Sequence, residues 1–415
     1  MGSGKSSAAI NYMNSHPDQK FIYITPYLEE AERIRNACPE LRFKEPSNKL
    51  PEFGFRKYRH TVELLTAGEN ITSTHNMFLR YSSEMIDLIK GGGYTLIVDE
   101  AVEILRQSNI YHSDIQLLKD ANWIDGNGDI LDVNAPDDYQ RGVVYDIVCL
   151  SKGNRLVSME DADGTPYYYW MFSREIFDAF RDVIVLTYLF ESQMMKYYFD
   201  LNHMEYDKIG VTVDAFGDYH FSDTCGYVPK YTANLSEKIH ILDNKKLNEV
   251  GESKHALSYT WFQKSGDAIT AKKNQLKRNV QNFFTNYHRD KDSKRRLWAT
   301  YKLGEKLIRQ KGYYYSDIAF NTKATNDYRD KDVLAYCVNI FMSPCEKNFL
   351  LHNGIDVRED EYALSVMIQW IWRSAIREGN EIWIYIPSKR MRDMLKDWIQ
   401  SVENTYAQTK EIQTA

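Results

Sequence analysis

The opening run Gly2-Ser3-Gly4-Lys5-Ser6-Ser7 constrains this chain more than any other stretch. A Gly-Lys-Ser at the mouth of a helix is the working half of a phosphate-binding loop. Backbone N–H groups and the positive end of the helix face phosphate oxygens there; the lysine reaches the outer phosphates and the serine hydroxyl holds a divalent cation. Ala8, Ala9, Ile10 and Met13 follow at helical spacing, as a helix leaving such a loop requires. Gly2, Ser3, Gly4, Lys5, Ser6 and Ser7 are therefore the expected phosphate contacts. The full pattern also wants a glycine five residues before Gly4 and a buried strand ahead of it. The sequence starts at Met1, so the loop is read either as half a motif or as the continuation of a longer protein.

A second landmark gives the first its meaning. Gly91-Gly92-Gly93 closes a helical stretch, and Tyr94-Thr95-Leu96-Ile97-Val98 follows as the continuous apolar run of a strand buried on both faces. It ends in Asp99-Glu100-Ala101. Two carboxylates at the carboxyl end of a buried strand suit a Mg²⁺-nucleotide site: one holds the ion's water shell and the other orients or deprotonates the attacking water. In an open α/β sheet, ligands collect at that edge. A solvated Asp-Glu pair capping the next helix is the plainer alternative, and the upstream Gly-Lys-Ser weighs against it.

Composition sets the outer limits. At 415 residues the chain has room for two or three domains, each with a core. With 43% hydrophobic and 27% charged residues it is an ordinary globular protein, not a disordered one. A net charge of −6 excludes a histone-like binder but leaves room for a local basic track. Cys38, Cys149, Cys225, Cys337 and Cys345 form no Cys-x-x-Cys pair, so no zinc or redox motif is signalled and a reducing compartment is expected. No signal peptide and no long apolar run is read, which points to the cytoplasm of a bacterial or phage-infected cell and to no membrane partner.

The rest of the chain alternates strands and helices. Lys20–Thr25 is a short buried strand stopped by Pro26, and Tyr27–Cys38 has helical spacing. Glu69–His75 is a short strand running into a helix from about Asn76 to Lys90. Residues 105–171 read as a β-rich elaboration, with a turn at Asp125–Asp129 and a hairpin around Asp161–Gly164. Arg181–Thr187 is a further buried strand, whose terminal Thr187 is placed to relay the state of Asp99. Residues 271–296 carry nine Lys/Arg against Asp290 and Asp292, with Phe283, Phe284 and Tyr287 among them. That pattern fits a nucleic-acid track, though a solvated helix face explains it as well. Asp317–Asn321 and Asp332–Phe341 are expected strands. In Ala363–Arg377, the spacing of Gln369, Arg373 and Arg377 predicts one stripe of a helix, presenting fixed guanidinium charge as an arginine finger does.

Taken together these segments resemble the motor domains of superfamily-two helicases of the DEAD/DEAH-like kind, and among them those of phage replication modules. Gly-Ser-Gly-Lys-Ser is similar to motif I, Ile24-Thr25-Pro26 to motif Ia, Ser73-Thr74-His75 to the strand-contacting motif Ib/Ic, and Val98-Asp99-Glu100-Ala101 to motif II. Leu186-Thr187 is similar to the start of motif III, with Tyr188 where a small residue is usual. Gln369-Trp-Ile-Trp-Arg373 is similar to motif VI, with Trp372 in place of the usual Gly and Arg377 one place late. The resemblance implies an α/β fold of two RecA-like domains, with parallel sheets flanked by helices and an ATP cleft between them. The domains would span 1–192 and 193–403, with a tail at 404–415. It implies ATP and Mg²⁺ as ligands, and a DNA substrate, single- or double-stranded, with RNA as second choice. Other replication proteins are implied as partners.

In that scheme Lys5, Ser6 and Asp99 hold the phosphates and Mg²⁺, and Glu100 activates water. Gln369, Arg373 and Arg377 attend the transition state, and Thr187 couples the states. Thr25, Pro26, Thr74, His75, Asn321 and Thr325 hold the nucleic acid. Two other readings stay open. A phage terminase motor would add a nuclease half needing three converging acids. A non-catalytic nucleic-acid-binding fragment would follow if the loop cannot hold nucleotide without its strand.

Overall fold

Short, mostly apolar runs build the central strands of the first sheet. The computed structural model describes all residues except 1–3, 51–55, 126–128, 137–138, 140–141, 152, 161–162, 224–229, 288–291, 322–327 and 415. Its first elements are α1 (Lys5–Asn14), β1 (Phe21–Thr25), α2 (Leu28–Ala37), α3 (Lys57–Thr66), β2 (Ile71–Thr74), α4 (His75–Phe78), α5 (Ser83–Gly92) and β3 (Thr95–Asp99). All of β1 is buried, as is β3 up to Val98. Such strands need cover on both faces, which helices alternating with parallel strands supply. Gly93 adopts the left-handed conformation (φ 66°) that ends α5.

The chain then leaves the sheet. β4 (Leu105–Gln107), α6 (His112–Asp120), β5 (Ile124–Asp125), β6 (Ile130–Val133), α7 (Tyr145–Ser151), β7 (Asn154–Glu160) and β8 (Pro166–Phe172) follow. They form an antiparallel sheet ordered β4-β8-β7-β6-β5. Its own small core joins Ile115, Leu118, Ile147, Leu156, Tyr168 and Trp170. The chain returns through α8 (Arg174–Asp178) to β9 (Asp182–Leu186), which pairs with β3. The parallel sheet is thus ordered β2-β1-β3-β9. α9 (Met194–Leu201) and the hairpin β10 (Gly210–Val213) and β11 (Tyr219–Ser222) come next.

The second sheet is also parallel. Its elements are α10 (Leu235–Lys238), β12 (Ile239–Ile241), α11 (Lys245–Asn248), α12 (Tyr259–Gln263), α13 (Asp267–Asn282), β13 (Arg296–Ala299), α14 (Lys302–Ile308) and β14 (Val333–Tyr336). After α15 (Pro344–His352) come α16 (Glu359–Ile371), β15 (Ile382–Tyr385) and α17 (Lys389–Thr414). The strand order is β12-β15-β14-β13. Leu276, Val280, Phe283, Trp298, Ala335 and Tyr385 share its core.

These elements divide into two units. The first holds Gly4–Cys225 and Ser343–Val357; the second holds Gly226–Met342 and Arg358–Ala415. The division expected near residue 192 therefore falls later. α9 is bound into the first unit: the Tyr198 hydroxyl donates to Phe172 O at 2.9 Å, and its ring lies 6.0 Å from Phe177. α15 joins the same unit, where His352 Nδ1 lies 3.2 Å from Asp129 Oδ2.

Three other expectations change. Phe283 and Phe284 are core residues, 2% and 1% exposed, not aromatics displayed along a basic track. Nor is the charge of that segment all on display, since Arg295 pairs with Asp332 and Arg296 is 8% exposed. The expected strand at Asp317–Asn321 is reduced to a bridge between Asp317 and Trp298. The stripe of Gln369, Arg373 and Arg377 is broken because α16 ends at Ile371. Ala375 N–H, which a continuing helix would direct to Ile371, donates instead to Lys331 O at 2.8 Å. Arg377 then sits in a separate 3₁₀ turn, Ala375–Glu378. Among the described residues no helix is long and apolar enough to cross a membrane.

Candidate active site

The first unit brings Lys5, Asp99 and Glu100 together at the carboxyl edge of its parallel sheet. Gly4 caps α1 in the left-handed region (φ 75°), a conformation glycine adopts without steric cost. Its carbonyl accepts the Ala8 N–H at 2.8 Å, so the helix starts directly after the loop. A side chain at Gly4 has no room, because a Cβ there would lie 2.0 Å from the Tyr219 ring of β11. Asn11 of α1 fastens the same strand, its Nδ2 donating to Tyr219 O at 3.0 Å. Gly2 and Ser3 lie outside the described residues.

Lys5 opens α1, its Nζ 5.9 Å from the centroid of the Tyr188 ring. Burial lowers its pKa, while the charges of Asp99 and Glu100 work the other way. Lysine and both motif carboxylates therefore meet at one place. Asp99 ends β3, and its carboxyl is pushed up to about 7 by burial first, then by Glu100 and Glu30, against the pull of Arg33 and Lys5. A carboxylate so short of positive charge is suited to a cation. Ser6 and Asp99 are the residues fit to hold Mg²⁺, and Lys5 with the start of α1 to hold phosphate.

Glu100 is strained. Its φ of 61° lies in the left-handed region that non-glycine residues adopt at a cost. The backbone there is pinned, since Glu100 N–H donates to Leu186 O at 3.0 Å. His75 holds the other side: its Nε2 lies 2.9 Å from Asp99 O. A carbonyl only accepts, so Nε2 carries the hydrogen. His75 is 7% exposed and acts here as a tie to motif II rather than as a displayed contact.

The remaining predicted residues scatter more widely. Thr25 is wholly buried, Pro26 and Thr74 are half-buried, and Asn321 is exposed in a turn. Thr325 lies outside the described residues. The Thr187 hydroxyl donates to Gln193 Oε1 at 2.9 Å, and Gln193 Nε2 donates to Tyr188 O at 2.6 Å. In the second unit, Arg373 is 4% exposed with a guanidinium nitrogen 3.4 Å from Gln369 O, whereas Arg377 is exposed.

Several neighbours of the site escaped sequence reasoning. Glu30 and Arg33 of α2 form a two-pronged ion pair, with Arg33 Nε 3.0 and 2.9 Å from the two carboxylate oxygens. Their i, i+3 spacing was the available signal. The buried Tyr23 hydroxyl is raised well above its ordinary range by burial, then by Asp99 and Glu30. Tyr219 offered no signal, since it arrives from a hairpin far along the chain.

A solved structure titled XPD_Helicase has a TM-score of 0.50 and 10% identity over 95% of this chain and 93% of that chain, a likeness of fold. The class so defined is an α/β protein of two RecA-like domains, helicase-like in fold. Residues 233–399 match the YonV C-terminal Rossmann-like domain. Over 411 residues the chain is 37% identical to the SPbeta prophage-derived uncharacterized protein YonV of Bacillus subtilis (strain 168), covering 97% of each. The chain belongs to the YonV family.

Proposed function

We propose that this protein is an ATP-dependent helicase or translocase acting on nucleic acid, DNA before RNA, in the replication of a phage or mobile element. The observation that carries this reading is the meeting of Lys5, Asp99 and Glu100 at the carboxyl edge of one parallel sheet. Lys5 and the α1 N-terminus bind the phosphates, and Ser6 and Asp99 would hold Mg²⁺, which when bound would supply positive charge against the phosphate oxygens. Glu100 orients and deprotonates the attacking water, and its pinned backbone keeps it aimed. Gln369, Arg373 and Arg377 are the candidates for answering γ-phosphate charge, with Arg377 the more accessible of the two arginines. Thr74, Pro26 and Asn321 are the candidate nucleic-acid contacts of the predicted set, with Thr25, His75 and Thr325 behind them. The prophage origin of the YonV relative supports the mobile-element setting.

A strand-displacement assay on a partial duplex tests the proposal. The account predicts displacement that needs hydrolysable ATP and Mg²⁺ and disappears in Glu100→Gln. A terminase-like motor would instead cut DNA in the presence of Mn²⁺. A non-catalytic binder would hold DNA with no response to nucleotide.

A further inference from the structure

The first unit contains a second concave site, of about 1070 Å³, away from Lys5 and Asp99. One wall is the start of α3, Arg56-Lys57-Tyr58-Arg59, and another is the α4–α5 junction with Arg80. A third wall comes from the antiparallel elaboration, through Tyr145 and Cys149 of α7. Gly153 locks that wall to the others, because a Cβ on it would lie 1.9 Å from Tyr81 O. Asn154 Nδ2 adds a hydrogen bond to Leu79 O at 3.3 Å.

The charge in this recess is one-sided. Arg56, Lys57, Arg59 and Arg80 line it against Asp146. Glu84 stands beside it, accepting from the Tyr58 hydroxyl at 3.0 Å. The first turn of α3 carries no acid and has no side-chain N-cap, so its N–H groups add to the positive potential, whereas Glu84 stands in the first turn of α5. Tyr58 and Tyr145 line it at 38% and 37% exposure, the Tyr58 hydroxyl held by Ser82 and Glu84 and the Tyr145 ring 6.4 Å from that of Tyr139. Cations that track phosphates, beside aromatic side chains, are what a single strand requires. A duplex hides its bases from such rings.

We propose that this recess is a binding site for single-stranded nucleic acid, shared between the parallel-sheet core and the antiparallel elaboration. The choice of ligand rests on the helicase reading; the anionic, base-stacking character of the site rests on the recess itself. Thr74 lines the recess, and the next residue, His75, bonds to Asp99 O at 2.9 Å. A strand bound here therefore lies one residue from a tie to the proposed hydrolysis centre.

The test is anisotropy of a fluorescein-labelled oligo(dT) titrated with the full chain, without nucleotide, over a range of salt. Arg56→Glu with Arg59→Glu, both on exposed side chains, is expected to weaken binding roughly tenfold or more. It also lowers the magnitude of the log–log salt slope by about 1.4, as the loss of two single-strand phosphate contacts requires. Tyr145→Ala weakens binding without changing the slope. Lys119→Glu, on an exposed position of α6 outside the recess, leaves both unchanged. Binding by the Arg56/Arg59 variant within twofold of the parent, with its melting profile intact, overturns the proposal. So does equal competition by a duplex of the same length, or complete competition by inorganic pyrophosphate, which would mark a small-anion site. If Glu100→Gln and the parent both lack hydrolysis while the binding results hold, the motor reading fails and the recess stands.

Discussion

Replacing Asp99 with Asn removes a carboxyl that burial, Glu100 and Glu30 push from 3.8 up to about 7. The folded protein holds this proton more tightly than the unfolded chain does. Stability therefore falls as pH rises from about 3.8 to about 7, and the whole penalty is present above that window. At about 1.4 kcal/mol for each tenfold change in proton affinity, the displacement converts to about 4 kcal/mol. Asp99 keeps some contact with solvent, so screening reduces this to about 2 kcal/mol. For a unit of this size that is about 4–8 °C in Tm. Thermal melts of parent and Asp99→Asn without nucleotide should show the variant higher by this amount near pH 8.5, and the gap closing as pH falls toward about 4. With Mg²⁺ and ATP the order reverses, because only the parent keeps the carboxylate that holds the ion. A variant that melts lower near pH 8.5, or a gap that ignores pH, refutes the reasoning.

Three other perturbations follow from the same geometry. Glu100→Gly raises stability by roughly 0.5–1 kcal/mol, because relief of left-handed strain outweighs the added chain entropy; no gain in a urea melt contradicts this. Gly4→Ala forces a methyl into the Tyr219 ring and costs roughly 2–4 kcal/mol. Adding Tyr219→Ala should recover the steric part in the same melts. Asp332→Ala removes one partner of Arg295 and leaves the Trp383 N–H bond to Asp332 O in place. The half-exposed arginine limits the loss to roughly 2–3 kcal/mol, read as a lower melting temperature of the second unit.

The central parallel strands were legible because a strand buried on both faces is mostly apolar, as Phe21–Ile24 and Leu96–Val98 are. The β7–β8 hairpin was legible because Asp161–Gly164 punctuates two strand-like runs. Meeting of Lys5 with Asp99 and Glu100 followed from placing both motifs at the carboxyl edge of one sheet. The end of α16 was not legible. No Gly or Pro interrupts Ala363–Arg377, and the break comes from Lys331 O, far away in sequence, taking the Ala375 N–H. Phe283 and Phe284 looked like aromatics among charges because the sequence does not show that the helix passes into a π-type turn that buries both. The Tyr219 contact with Gly4 and the basic recess each depend on segments brought together only by the tertiary fold.

The central claim is that Lys5, Asp99 and Glu100 form a nucleic-acid-responsive ATP hydrolysis centre. Steady-state phosphate release by the full chain, with and without single-stranded DNA, tests it most directly beside Glu100→Gln and Lys5→Ala. The account predicts release that DNA stimulates, with both variants reduced by about 100-fold or more. Release equal in parent and variants, or none from the parent with Mg²⁺, ATP and DNA all present, would contradict it.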